Sequence, residues 1–138
     1  MIDETLTRGF SAAAARTAAD GYRTLLGVVL IVEAAAGVAL LVAPAGVSRL
    51  LAVGGGIWPR VAGLLLLVIV ALLFAGRIDP VRMKLTNAFG IVGRGVLAVL
   101  LIALWGRLAF AGAAEAVAAI ALGLSYFGYF KAEVMSRP

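Results

Sequence analysis

Neither cysteine nor histidine occurs among the 138 residues. That removes disulfides, thiolate nucleophiles, imidazole bases and the usual soft or borderline metal ligands, so no haem, zinc or iron–sulfur cofactor is expected and no metal site is assigned. Charge is scarce too, at 14% of residues against about 25% in an ordinary soluble domain. Lysine is nearly missing: two residues stand beside ten arginines, a bias which, with heavy alanine, glycine and valine use, suggests a GC-rich bacterial genome. Hydroxyl side chains are few and no serine lies in a nucleophile motif, so acyl transfer and hydrolysis lack support and no catalytic residue is assigned.

What fills the chain instead is apolar. Hydrophobic residues make up 64% and mean hydropathy is +1.11. Four stretches, 22–43, 57–76, 88–105 and 108–130, each approach the ~20 residues a helix needs to cross a ~30 Å hydrocarbon core. The pattern predicts an all-α integral membrane protein: a four-helix bundle over 22–130, an interfacial segment at 1–21 and a tail at 131–138. Residues 1–21 lack the charged start, short apolar core and small-residue cleavage site of a signal peptide, so they are expected to be retained. Ile2, Leu6, Phe10, Ala13 and Thr17 recur near helical spacing, which fits a short helix lying on the membrane surface.

The positions of the cations orient the bundle. Arg8, Arg16, Arg23, Arg77, Arg82, Lys84, Lys131 and Arg137 fall on one side, and Arg49, Arg60 and Arg107 on the other. Basic loops stay in the cytoplasm, which places both termini and the 77–84 loop on the inner side of a bacterial cytoplasmic membrane. Tyr22, Tyr126 and Tyr129 then mark the inner interface, and Trp58 and Trp105 the outer one, as aromatic belts do. Arg60 lies just inside the outer end of the second span, placed to snorkel and to act with Trp58 as an anchor.

Pro44 ends the first span. Beyond it, Val47, Leu50 and Leu51 share one side of a short helical unit expected on the outer surface, closed by Gly54, Gly55 and Gly56. The glycine run lacks the lysine and hydroxyl of a phosphate loop and follows no strand, so it reads as a turn. On the inner side, the loop from Arg77 to Lys84 is tight and basic. Asp79 can pair there with Arg77 or Arg82 and accept backbone donors, while Arg77, Arg82 and Lys84 meet anionic headgroups that attract each by ~1 kcal/mol. Asn87 precedes the third span as its expected amino-terminal cap.

Three charges remain in the hydrocarbon: Glu33, Arg94 and Glu115. A charge at the bilayer centre is disfavoured by roughly 3 kcal/mol on insertion scales, so such residues face the bundle interior, pair, or mark a pathway. At ~1.5 Å per residue the three lie ~12 to ~20 Å from the inner ends of their helices, within reach of one layer. Small neighbours such as Gly37, Gly90 and Gly112 permit close helix approach beside each of them. Three readings stay open. Arg94 can bridge both carboxylates and fix helix register, since its guanidinium fork stays protonated. Two acids against one base can instead leave a carboxyl to carry a proton, or to bind a cation or a quinone head. In the third reading, one charge meets its partner on another membrane subunit. Spacing does not say which carboxylate pairs with Arg94.

Three short segments, Trp58-Pro59-Arg60-Val61-Ala62-Gly63, Arg77-Ile78-Asp79-Pro80-Val81-Arg82 and Gly93-Arg94-Gly95-Val96-Leu97, resemble small four-helix bacterial membrane proteins of the DoxX-like kind. The resemblance implies an accessory subunit of a membrane redox system that delivers electrons to quinone, with the chemistry in a partner. No cysteine pair supports thiol redox chemistry in this chain. The expectation is a small accessory or scaffold subunit of a larger inner-membrane complex, among anionic lipids and other membrane subunits. Neither an activity nor an intrinsic cofactor of its own is expected, and no nucleic-acid partner. The alternative is a homo-oligomeric transporter, or a proton- or quinone-binding protein built on Glu33, Arg94 and Glu115, with quinone or lipid as the ligand class.

Overall fold

The computed structural model describes residues 4–54, 56–104 and 106–136, with side chains from residue 12 onward. Every regular element among them is a helix: α1 (Glu4–Val42), α2 (Pro44–Leu51), α3 (Trp58–Ile78), α4 (Lys84–Ala103) and α5 (Leu108–Met135). Ala12–Val42 within α1, and the whole of α3, α4 and α5, are long and apolar enough to cross a membrane. The outer surface is apolar, and several polar side chains lie inside beside an apolar core. Val28, Ile31, Leu72, Phe89, Phe110 and Leu124 stand outside, while Glu33, Ser48, Asn87 and Arg94 are buried. Hydrocarbon tolerates the first group and rejects the second, so a bilayer puts both where transfer favours them.

Helix ends follow local chemistry, and several differ from the sequence expectation. α1 runs unbroken from Glu4 into the first span, so no separate short helix precedes residue 22. No proline interrupts this stretch, and the alanines at 12–15, 18 and 19 favour continuation over a break at Gly21. The side chains of Ile2, Leu6, Arg8 and Phe10 lie outside the described residues, as do Gly55, Trp105 and Arg137. Pro44 opens α2 at a position where its missing N–H goes unused. The left-handed residue ending α2 is Ala52 (φ 55°) rather than a glycine of 54–56. Ala52 and Val53 N–H donate to the Arg49 and Ser48 carbonyls at 3.3 and 3.0 Å, a closure that has to follow Leu51 directly.

The α3–α4 turn is organised by Asp79. Its carboxylate accepts the Arg82 N–H at 3.1 Å and its carbonyl accepts the Met83 N–H at 3.0 Å, so α4 starts at Lys84 rather than at 88. Asn87 is therefore inside α4 and is not its cap. Buried there, it donates through Nδ2 to the Gly76 carbonyl at 3.2 Å, one of the carbonyls that the end of α3 leaves without an intrahelical partner.

Helix packing is uneven. α1 lies against α3 and α5, α4 lies against α5, and α3 and α4 share the least contact of the adjacent long helices, which includes Asn87 on Gly76 and Gly90 on Leu73 near the turn that joins them. The α1–α3 crossing is backbone on backbone: a Cβ at Gly63 would stand 2.7 Å from the Gly37 carbonyl oxygen. Such approach gives dispersion its grip where hydrocarbon supplies no hydrophobic drive between helices. Nearer the basic end, Tyr22, Leu26, Leu30, Leu73 and Leu122 form the core. Tyr22 and Tyr129 turn inward, 1% and 3% exposed, and with Tyr126 make a ring cluster whose centroids are 5.0 to 6.5 Å apart. The three tyrosines expected at the inner interface thus pack on one another, with Tyr22 and Tyr129 inside the bundle, a contact that ring-on-ring geometry favours.

Candidate functional site

The intramembrane charges come from three helices: Glu33 from α1, Arg94 from α4 and Glu115 from α5. Arg94 forks onto Glu33, with Nη2 donating to Oε2 at 2.9 Å and Nη1 pairing with Oε1. Glu115 is the second partner, its Oε2 3.7 Å from the same Nη1, beyond hydrogen-bond reach. Geometry therefore makes Glu33 the primary ion partner. The fork satisfies both Glu33 oxygens and balances its charge, whereas Glu115 Oε2 is enclosed and has no hydrogen-bond partner among the described residues. The cluster holds one acid more than it holds bases.

These side chains line a cleft. Where α3 and α4 part, a cavity of about 430 Å³ is walled by apolar residues such as Leu66, Ile69, Phe89 and Leu97, and by Glu33, Arg94 and Glu115. Its size falls in the roughly 300–1,000 Å³ range of small-molecule sites, which are likewise mostly apolar with a few placed polar groups. Gly93 widens it: no atom lies within 4 Å of where its Cβ would be. The polar groups are one guanidinium, two carboxyls and the Thr86 hydroxyl. Such a set can bind a polar head and hold charge, but it supplies no activated nucleophile.

The other residues selected from sequence are not brought to this site. Trp58 and Arg60 are exposed at the start of α3, and Arg60 has no polar partner among the described residues. Asp79 pairs with Arg82 at 3.6 Å within the turn. Arg77 reaches α1, where its Nε donates to the Arg23 carbonyl at 3.0 Å, and its guanidinium also lies 6.0 Å from the Phe74 ring centroid. Lys84 pairs with Glu133 of α5 at 3.5 Å and stands 5.4 Å from the Phe130 ring centroid. Both cations thus tie helices together.

Two further arginines were not singled out by sequence. Arg23 donates through Nη2 to the Ile78 carbonyl at 3.4 Å, and Arg107 through Nη1 to the Leu50 carbonyl at 2.9 Å, each across more than fifty residues. Both satisfy carbonyls at helix ends, and no local pattern announces a partner so distant. The sequence puts Tyr22, Tyr126 and Tyr129 at one end of the bundle, but nothing local in it brings the three rings into contact.

No known protein family, curated protein or solved structure matches the chain. Function therefore rests on geometry and charge.

Proposed function

We propose that the chain is a bacterial inner-membrane protein, with its termini and the 77–84 turn on the cytoplasmic side, that binds a lipid-soluble molecule with a polar head between α3 and α4. The observation that carries this reading is Glu115: the residue lines an apolar cavity, and its enclosed Oε2 has no hydrogen-bond partner among the described residues. An unsatisfied buried acceptor costs about 1–3 kcal/mol, which a ligand hydroxyl recovers by donating to it. A quinol-like head on an apolar tail offers both the donor and a surface for the leucine-rich walls. The cation distribution supports the orientation. An accessory role is consistent with this, because a subunit that holds a quinol beside a redox partner needs a binding site and no redox centre. The DoxX-like resemblance is part of the same proposal.

The test is thermal unfolding of the full chain in detergent with a short-tailed quinol. We expect a saturable rise in the midpoint. Gly93→Leu, which fills open space in the cleft, should abolish that rise without lowering the ligand-free midpoint. Unchanged binding by Gly93→Leu would remove the cleft from the proposal. If no hydroxyl-headed amphiphile shifts the midpoint, only the scaffold role survives.

A further inference from the structure

A second cavity, of about 400 Å³, lies at the basic end of the bundle and shares no residue with the cleft. Its walls include Arg16, Asp20 and Arg23 of α1, Val81 of the α3–α4 turn, and Tyr129 and Glu133 of α5. Two donors in those side chains have no acceptor among the described residues. The Tyr129 hydroxyl and Arg23 Nε are both enclosed and lack a hydrogen-bond partner among the described residues, and Tyr129 is 3% exposed. Orphaned donors of this kind are rare in folded proteins.

The charges around them are already partly matched. Arg23 pairs through Nη1 with Asp20 at 3.4 Å, and Glu133 lies 3.5 Å from Lys84. Arg16 forms no ion pair among the described residues. One unmatched guanidinium beside a free hydroxyl and a free Nε–H suits an oxyanion with several acceptor oxygens and a single net charge. The space is far larger than the ~30 Å³ share of one water. Arg77, Arg82 and Lys84 cluster at the same end of the bundle, where spanning helices meet phospholipid headgroups.

We propose that this cavity binds a phosphate oxyanion, carried on the headgroup of an anionic phospholipid or free in solution. The Tyr129 hydroxyl and Arg23 Nε–H donate to its oxygens, and Arg16 supplies the countercharge. The site stands independently of the α3–α4 cleft.

The experiment uses the full chain, stripped of lipid by detergent exchange and followed by native mass spectrometry and thermal midpoint. It is titrated separately with phosphatidylglycerol, with zwitterionic phosphatidylcholine, and with inorganic phosphate. Phosphatidylglycerol is expected to be retained and to raise the midpoint, and phosphatidylcholine is not. Tyr129→Phe keeps the ring cluster and removes only the hydroxyl, so it should weaken retention about tenfold, the effect of one charge-assisted hydrogen bond. Arg16→Gln should do the same, whereas Arg60→Gln, at the start of α3, should not. If inorganic phosphate alone reproduces the shift and loses it in the same variants, the site stands with free phosphate as its ligand. Equal retention of both lipids, undiminished binding by Tyr129→Phe, or no response to any phosphate species overturns the proposal.

Discussion

Removing Arg94 takes both contacts from Glu33 and the nearest cation from Glu115, leaving two enclosed carboxyls unmatched. Breaking a buried pair in this way costs about 3–5 kcal/mol, whereas replacing a whole buried ionic set with apolar side chains is often neutral. Arg94→Leu should accordingly show a large loss in detergent unfolding, and the Glu33→Leu, Arg94→Leu, Glu115→Leu triple variant should recover most of it. A triple variant as unstable as the single one would contradict an essentially electrostatic lesion. Within the same series, Glu33→Gln should cost more than Glu115→Gln, because Glu33 takes the fork and Glu115 takes no hydrogen bond among the described residues. Equal losses would argue against the unequal pairing. That the three residues belong together was legible, since each is a charge among apolar neighbours. Their ranking was not, because it depends on how far α1 and α5 are rotated toward α4.

Among the helices, glycine marks contact in some places and open space in others. At Gly63 an added Cβ would press on the Gly37 backbone carbonyl at 2.7 Å, and backbone cannot step aside. At Gly95 nothing lies within 4 Å. Gly63→Ala should therefore destabilise by about 1–3 kcal/mol through forced separation of α1 and α3. Gly95→Ala should be neutral or stabilising by up to about 1 kcal/mol through helix propensity. A denaturant series in which the two variants behave alike would contradict a backbone-on-backbone α1–α3 crossing. The existence of four long apolar helices was legible from sequence, but their limits shifted by several residues. The Asp79 turn closed early enough to start α4 at Lys84, and the alanine-rich stretch before residue 22 joined α1.

Seen whole, the bundle is closed along α3–α1–α5–α4 and open between α4 and α3, which makes its sides unequal as docking or ligand-entry surfaces. Its proposed orientation is directly testable, because the absence of native cysteine makes every introduced thiol unique. Arg82→Cys in the basic turn should react with a membrane-impermeant maleimide only from the cytoplasmic side, and Leu104→Cys only from the opposite side. Labelling of Arg82→Cys in intact cells would reverse the assignment. Orientation was readable as an expectation because charge bias acts loop by loop. The open side was not, because nothing in the short α3–α4 turn reveals that the two helices diverge from it.

By itself, the sequence determined the apolar surroundings these helices suit, the four helices long enough to cross them, and the three charges that must be hidden. Those properties add up along the chain and need no knowledge of neighbours. Only the tertiary structure decided that Arg94 favours Glu33, that Tyr22 and Tyr129 turn inward, and that α3 and α4 part to leave a cleft. Each of these depends on helix rotation and on meetings between residues far apart in the chain. A helix that is apolar nearly all round carries too little contrast between its faces for periodicity to fix that rotation.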